Sequence, residues 1–201
     1  MNGRQTLVLA SASTARARLL QGAGIKFVCD PASIDENAVK AAARESNSEV
    51  TATAATLAET KAMVVSQRHP GALIVGADQI LECDGEWFDK ATDYDDAVKT
   101  LETLRNRTHR LVSAAVVMLD SVQVWQDVET ARLTMRPFTD SFLRNYVDAM
   151  GPDILETVGA YRLEGVGVQL FSRIEGSFFT ILGLPLLPLL AFLRHEGVIA
   201  H

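Results

Sequence analysis

The chain has 201 residues, of which 48% are hydrophobic and 22% are charged, and its formal net charge is −6. This apolar content is sufficient for a folded core in one large domain or in one domain with two lobes. The acidic charge argues against a protein that binds duplex nucleic acid, which requires a basic face, but it permits a small anionic substrate held by a few clustered cations.

The cysteines and the apolar runs bear on the cellular compartment. Cys29 and Cys83 are far apart and form no CxxC motif, which is typical of reduced structural thiols. We predict no signal peptide, and no stretch approaches the ~20 apolar residues of a membrane span. We therefore expect a cytoplasmic protein with no membrane partner.

The first half of the chain alternates predicted strands with predicted helices. Short β-branched runs predict strands, whereas longer periodic segments behind Ser, Thr or Asp caps predict helices. The predicted strands are 6–10, 25–29, 73–76, 80–83 and 86–88, and the predicted helices are 14–21, 38–45, 51–67 and 93–104. The dipeptide Asp84-Gly85 is a strong hairpin signal between the last two of these strands.

The second half begins with two long predicted strands, 111–119 and 122–135. A helix at 138–149, a strand at 166–171 and a closing helix at 184–196 follow. Alternation of strands and helices followed by long hairpins predicts an α/β fold, with a mixed, twisted central sheet and flanking helices. We find no linker or repeat, and we predict a single two-lobed domain over 1–201.

Asp78 is the most informative residue of the sequence. It follows the apolar run Leu73–Gly76, and α/β enzymes often present an acidic residue at the end of a buried strand, where ligands collect. The alternative is that this aspartate forms a turn or caps a helix. Asp78 alone does not decide between the two interpretations.

A second candidate lies where the first strand meets the first helix, in the segment Ser11–Arg16. Backbone N–H groups at a helix N-terminus attract anions, and an arginine adds a bidentate donor. Arginine is unfavourable for the helix dipole at that end, which suggests a function for Arg16. The equally weighted alternative is a helix cap followed by a solvated arginine.

Five further polar residues have an ordinary structural interpretation when each is taken alone. Glu36 is expected in an acidic helix start, Lys61 as a lysine that extends to the helix surface, and Lys90 as a solvated loop lysine. Glu164 is expected in an exposed turn, and His109 is interpreted as structural because no histidine has metal-ligand spacing.

The order of these segments nevertheless resembles the Maf-like nucleoside triphosphate pyrophosphatases over nearly the whole chain. The matching segments are Leu9–Arg16, Asp35-Glu36, Lys61-Ala62, Gly76–Gln79, Asp84–Glu86 with Lys90, Arg107–His109, Gly159–Tyr161, Glu164-Gly165, Arg173–Gly176 and Gly183–Leu186. Each segment is a weak signal, whereas the complete set in the family's order is specific. The resemblance implies two lobes around a nucleotide-binding cleft, in an architecture like that of inosine triphosphatase.

The resemblance also implies an activity: a metal-dependent hydrolase of acid anhydrides that converts a nucleoside triphosphate and water to a nucleoside monophosphate and pyrophosphate. In this mechanism Asp78 is expected to be the general base and a metal contact. Glu36 is expected to help hold Mg²⁺ or Mn²⁺. Arg16, Lys61 and Lys90 are expected to neutralise the phosphates, with Ser13 and adjacent amides cradling them. 

The subgroup of the family depends on the residue after Asp78 and on a later glutamine or glutamate. Asp78-Gln79 with a later Glu164 is similar to the 7-methyl-GTP pyrophosphatases, in which these positions would read a guanine edge that offers N–H donors. Ala15, where the family often has arginine or tryptophan, lacks a stacking surface and departs from the pattern. Thr180 replaces the family's asparagine.

Other interpretations remain open at this stage. One is a nucleotide-binding regulator of cell division or septum formation with weak turnover, and another is a phosphatase that releases orthophosphate. A nucleoside triphosphate is the expected partner, a nucleic-acid polymer is not expected, and a homodimer is left open.

Overall fold

The computed structural model describes residues 5–200, and the chain forms two compact units. The first unit comprises the chain up to Gln79, Val112–Glu129 and the chain from Phe178 onward. The second comprises Ile80–Leu111 and Thr130–Ser177. Two predictions remain untested: that 1–201 form a single two-lobed domain, and that a cleft lies between the lobes.

The strands form one mixed sheet with the order β2-β1-β3-β5-β6-β7, and β4 pairs with β3. The strands are β1 (Leu7–Leu9), β2 (Val28–Cys29), β3 (Leu73–Cys83), β4 (Glu86–Phe88), β5 (Thr108–Leu119), β6 (Val122–Met135) and β7 (Phe171–Glu175). Strand β1 is parallel to β2 and to β3, whereas the β3–β4 and β6–β7 pairs are antiparallel. The predicted mixed α/β sheet with helices is confirmed.

The helices are α1 (Thr14–Gly22), α2 (Glu36–Glu45), α3 (Val50–Ser66), α4 (Tyr94–Leu104), α5 (Asp140–Met150), α6 (Phe178–Ile181) and α7 (Leu186–His195). Two 3₁₀ helices lie at Gly151–Leu155 and Val166–Leu170. Side chains of Ser13, Asp35, Asp93 and Thr139 accept the first backbone N–H bonds of α1, α2, α4 and α5. Within the described residues, no helix is both long and apolar enough to span a membrane.

Two predicted strands differ from those observed. The predicted strand 166–171 is wrong, because Val166–Leu170 is a 3₁₀ helix and the strand begins only at Phe171. A Cβ on Gly167 would lie 2.4 Å from the carbonyl oxygen of Arg162, so the chain folds tightly back on itself there. The interruption predicted after Gly76 is also wrong, because β3 continues to Cys83 and places Asp78 inside the strand.

The core of the first unit lies between the sheet and two helices. Apolar side chains of β1, β3 and β5 pack in one cluster with those of α1 and α7. The Trp125 ring stacks on Phe192 of α7 at a centroid distance of 5.6 Å. This packing fixes the start of α1, where the candidate phosphate site lies.

The second unit contains a buried aromatic group around His109. The His109 Nε2 atom lies 2.7 Å from the Tyr161 hydroxyl, and the Tyr161 ring meets Phe171 edge-on. The Tyr146 hydroxyl donates to the carbonyl oxygen of Ala160, beside Tyr161. Burial lowers the pKa of His109 to about 4, so its ring is neutral at pH 7. 

Candidate active site

The start of α1 holds Arg16 inside the protein. Ser13 caps the helix by accepting the Arg16 backbone N–H, and Ser11 Oγ accepts from the Ser13 backbone N–H. The guanidinium donates from Nη1 to Ser11 Oγ over 2.9 Å and from Nε to the carbonyl oxygen of Gly183 over 2.7 Å. Only 8% of Arg16 is exposed, so the solvated-arginine interpretation is wrong.

Gly183 is shaped to receive this arginine. Its φ of 95° lies in the region that glycine tolerates best, and an added Cβ would lie 3.2 Å from Arg16 Nε. Burial lowers the pKa of Arg16, while the charges of Asp78 and Glu36 act in the opposite direction. Because the pKa of arginine is normally far above neutral, we treat this buried group as a cation.

Helix α3 packs directly on strand β3 and thereby brings Lys61 to Asp78. A Cβ on Gly76 would lie 2.1 Å from the carbonyl oxygen of Ala58 and 2.7 Å from the backbone nitrogen of Ala62. Glycine at this position is therefore what lets the helix backbone approach the strand. Lys61 lies on α3 three residues after Ala58 and one residue before Ala62, so it is next to the helix face that packs on Gly76.

Lys61 bridges two carboxylates. Its Nζ atom lies 2.5 Å from Asp78 Oδ1 and 2.7 Å from Glu36 Oε1. The side chains of Lys61 and Asp78 are buried, whereas that of Glu36 is 44% exposed. Glu36, Lys61 and Asp78 are called the charged cluster below. The interpretation of Lys61 as a surface lysine is wrong.

Asp78 keeps one oxygen free for another group. Its Oδ2 atom is buried and has no hydrogen-bond partner among the described residues, although Oδ1 is held by Lys61. A buried carboxylate oxygen without a donor is costly, so such an atom normally faces a water, an ion or a ligand. The charged cluster is therefore incomplete without a further group at Asp78 Oδ2.

The charges around Glu36 favour its ionised form. Burial opposes ionisation of Glu36, but the hydrogen bond and charge of Lys61, with smaller contributions from Lys40 and Arg16, lower its pKa overall. Lys40 was not identified from the sequence, and only 7% of it is exposed. Its position four residues after Glu36 on α2, which places the two on one helix face, is the signal that could have revealed it.

The charged cluster supplies some, but not all, of the ligands that a Mg²⁺ or Mn²⁺ ion requires. Magnesium is usually held by one or two carboxylates, several waters and the substrate phosphates. Asp78 Oδ2 is an unpartnered oxygen of this kind, and Glu36 is a second carboxylate beside the same lysine. Among the described residues there is no group of three or more Asp, Glu, His or Cys that could hold a metal. A partly hydrated ion on these two carboxylates fits the donor set.

Gln79, predicted to read a nucleobase, is engaged in contacts within the first unit. Its Nε2 atom lies 2.8 Å from Ser113 Oγ, 2.9 Å from the carbonyl oxygen of Thr180 and 3.1 Å from that of Ile181. Thr180 is fully buried, and its hydroxyl bonds to Glu129. Ser113, Thr180 and Glu129 were not assigned to this network from the sequence, because their contacts join distant segments.

The remaining predicted residues are distributed between the two units. Ala15 is partly buried in the first turn of α1 and offers neither a ring nor a polar side-chain atom. Lys90 and Glu164 belong to the second unit, and both are exposed. Lys90 pairs by its backbone with Val158, and Glu164 lies in a turn, as predicted.

The structure therefore unites some of the predicted residues and not others. It brings Glu36, Lys61 and Asp78 into contact, and the positive charge of Arg16 acts on the two carboxylates. Ser13 is connected to this group because its Oγ atom accepts a hydrogen bond from the Arg16 backbone N–H. Together with the mixed sheet, this arrangement defines an α/β protein with a buried, charged candidate active site in its first unit.

Comparison with known proteins identifies the family. Residues 6–196 match the family model described as Maf-like protein, and the chain belongs to this family. A protein from Paramagnetospirillum magneticum named nucleoside triphosphate pyrophosphatase is 53% identical over 190 residues, which cover 94% of this chain and 98% of that protein. A protein from Rhizobium etli named 7-methyl-GTP pyrophosphatase is 46% identical over 193 residues, covering 96% and 97%. 

A solved structure also matches at low similarity. It is a nucleoside-triphosphatase, or dITP/XTP pyrophosphatase, from Mycobacterium abscessus, with a TM-score of 0.47 and 15% identity over 96% of each chain.

Proposed function

We propose that this chain hydrolyses nucleoside triphosphates to nucleoside monophosphates and pyrophosphate. Its membership of the Maf-like family and the names of its relatives from P. magneticum and R. etli support this activity. The structural observation that carries the proposal is the Oδ2 atom of Asp78, which lies in a buried group of opposite charges and has no hydrogen-bond partner in the described part of the chain. Such an oxygen is available to a reacting water.

The reaction requires attack of water on the α-phosphorus. One bond forms between the water oxygen and the α-phosphorus, and the bond from that phosphorus to the bridging oxygen of the β-phosphate breaks. Asp78 Oδ2 accepts the proton that the attacking water loses. Lys61 holds Oδ1 at 2.5 Å and so fixes the direction of the free oxygen. Pyrophosphate leaves with the bonding electron pair.

Neutralisation of the triphosphate is the second requirement. Arg16 and Lys61 supply buried positive charge in the first unit, and Ser13 with the first amides of α1 supplies neutral donors. Lys90, from the second unit, is proposed to add a further cation. Because Gly183 and Ser11 already orient the guanidinium of Arg16, its side chain loses little conformational entropy when the phosphates bind.

A divalent cation, Mg²⁺ or Mn²⁺, is proposed on Glu36 and Asp78. When bound, it would shield phosphate charge and favour ionisation of a nearby water. Lowering of the Glu36 pKa keeps that carboxylate available for a cation down to acidic pH. 

The preferred base is proposed to be guanine, including its 7-methylated form. The support is the residue pattern Asp78-Gln79 with Glu164, together with the R. etli relative named 7-methyl-GTP pyrophosphatase. Glu164 is the proposed contact, because an ionised carboxylate accepts hydrogen bonds from the N–H donors of a guanine edge. Ala15 leaves the base without a stacking partner from α1.

The activity is tested by product analysis with a panel of GTP, 7-methyl-GTP, dTTP and UTP in Mg²⁺ and in Mn²⁺. We expect equal amounts of monophosphate and pyrophosphate, with the highest kcat/KM for a guanine nucleotide. Release of orthophosphate and a diphosphate would contradict the proposed reaction. A best rate with dTTP or UTP would contradict only the proposed base.

A further inference from the structure

The last two residues of α6 and the turn after them are held from two sides within the first unit. This segment, Thr180–Gly183, is called the 180–183 turn below. On one side the carbonyl oxygen of Thr180 accepts from Gln79 Nε2 over 2.9 Å and from Ser113 Oγ over 2.7 Å. On the other side the carbonyl oxygen of Gly183 accepts from Arg16 Nε over 2.7 Å. The turn therefore connects Gln79 to Arg16.

The amide nitrogen of Gln79 is fully used in these contacts. Ser113 Oγ gives its own hydrogen to the Thr180 carbonyl, so towards Gln79 it acts as the acceptor. The Gln79 amide has two N–H hydrogens. One points to Ser113 Oγ, and the other is shared between the carbonyl oxygens of Thr180 and Ile181. An amide donor committed in this way is not free to bind a nucleobase.

The two ends of the turn are coupled by its own backbone. The N–H of Gly183 donates to the Thr180 carbonyl over 3.0 Å, so the atom that Gln79 and Ser113 hold also anchors Gly183. The positive φ of Gly183 and the close approach of Arg16 leave little room for the turn to shift. The Thr180 hydroxyl is fixed in addition by Glu129.

We propose that Gln79 and Ser113 are positioning residues for the phosphate site: they fix the 180–183 turn, and the turn fixes the guanidinium of Arg16. This inference rests on the proposed function, because it takes Arg16 to contact the phosphates. It predicts that loss of Gln79 weakens the binding of every nucleotide, because the phosphates are common to all of them. The residue next to the proposed general base thereby connects the β3 strand to the start of α1.

The first test uses a ligand that has no base. Binding of inorganic pyrophosphate in Mg²⁺ is measured by calorimetry for the wild type, Gln79→Leu and Ser113→Ala, with Gln123→Leu, an exposed residue of the same unit, as control. We expect binding to weaken about tenfold in Gln79→Leu, the low end of what a lost charge-assisted contact causes, and less in Ser113→Ala. The control is expected to bind as the wild type does.

The second test observes Arg16 without any ligand or turnover. The ¹⁵N NMR signal of the Arg16 Nε–H group is assigned through Arg16→Lys, and its hydrogen exchange is measured in each variant. We expect a protected signal in the wild type and in Gln123→Leu, and faster exchange in Gln79→Leu and Ser113→Ala. Thermal unfolding of each variant verifies that it is folded, and Ser113→Ala is the milder change if Gln79→Leu does not fold.

The outcomes separate this inference from the proposed function. Failure of the wild type to hydrolyse any triphosphate would contradict the proposed function, while the Arg16 signal would still report on the turn. Unchanged Arg16 exchange and unchanged pyrophosphate binding in the folded variants would overturn the positioning role. A loss of kcat/KM confined to one nucleobase would overturn it as well.

Discussion

The two units of the chain each bury a polar group, and the two groups differ in charge. The first unit buries the charged cluster, in which Lys61 joins Asp78 and Glu36. The second unit buries His109 against the Tyr161 hydroxyl. In each group one buried atom has no hydrogen-bond partner within residues 5–200: Asp78 Oδ2 in the first and His109 Nδ1 in the second. The two buried groups resemble each other in geometry, but they differ in what they can contribute to stability and to chemistry.

The difference lies in how each group meets the cost of burial. His109 meets it by remaining neutral, since burial lowers its pKa to about 4. In the charged cluster, two carboxylates and a lysine are in contact beside Arg16, so that opposite charges offset the cost of burial. A neutral buried ring contributes to stability, whereas a buried carboxylate oxygen in a field of cations is suited to proton transfer and ligand binding. We therefore expect the charged cluster of the first unit to serve catalysis and the His109 group of the second unit to serve stability.

The largest effect is expected from Asp78→Asn, which keeps the volume of the side chain but removes its charge. Loss of a general base lowers kcat by ~10²–10⁴-fold, and Lys61 keeps Glu36 as a partner, so the fold should persist. Pyrophosphate release from GTP is measured beside Asp148→Asn, an exposed residue of α5. Retention of more than about a tenth of the wild-type rate by folded Asp78→Asn lies outside the general-base range and would exclude Asp78 as the base.

The next effect concerns stability of the charged cluster. Lys61→Met leaves a buried carboxylate without its partner and should lower the free energy of unfolding by about 3–5 kcal/mol. The double variant Lys61→Met with Asp78→Asn removes both charges of the pair, so it should lose less than the two single variants added together. Urea unfolding at pH 7 measures all four proteins. Simple additivity would mean that the two side chains do not interact in solution.

A smaller effect is expected from pH at His109. The unfolded chain binds a proton near pH 6.5 and the folded chain only near pH 4, so stability is complete above pH 6.5 and falls as the pH decreases between these values. The loss attributable to His109 is about 3 kcal/mol, at about 1.4 kcal/mol per pH unit. It should be absent in His109→Gln and present in His195→Gln, whose side chain is exposed. An unchanged pH dependence in His109→Gln would contradict neutral burial of the ring.

The smallest effect is expected from Glu164→Gln in the second unit. Glu164 is exposed, so its contact with a base is open to water and should change specificity more than rate. The amide can present a donor where the carboxylate only accepts, so the ratio of kcat/KM for GTP to that for UTP should fall. The value for UTP should hardly change. An unchanged ratio would remove Glu164 from the base site.

Local signals made most of the fold predictable. The caps Ser13 and Asp93 marked the starts of α1 and α4, and Asp84-Gly85 marked the β3–β4 hairpin, where both residues have positive φ. Strand β3 was interrupted in the prediction because Gly and Asp are disfavoured in strands. Gly76 is there because α3 approaches the strand, a tertiary cause that no local pattern contains.

The candidate site was predictable in its residue types but not in its contacts. Asp78, Lys61, Glu36 and Arg16 were identified through the resemblance to the family, whereas their ordinary local interpretations pointed elsewhere. The bonds from Gln79 to Thr180 and Ile181 join positions about a hundred residues apart, so sequence spacing could not indicate them. Cytoplasmic location stays a prediction, and the sequence leaves a homodimer open.

Hydrolysis of GTP in H₂¹⁸O shows which phosphorus atom the water attacks. Mass spectrometry of the products locates the oxygen that came from water. We expect one ¹⁸O atom in the phosphate of GMP and none in the released pyrophosphate. Label in pyrophosphate would mean attack at the β-phosphorus, and labelled orthophosphate with GDP would mean attack at the γ-phosphorus; either result would contradict attack at the α-phosphorus.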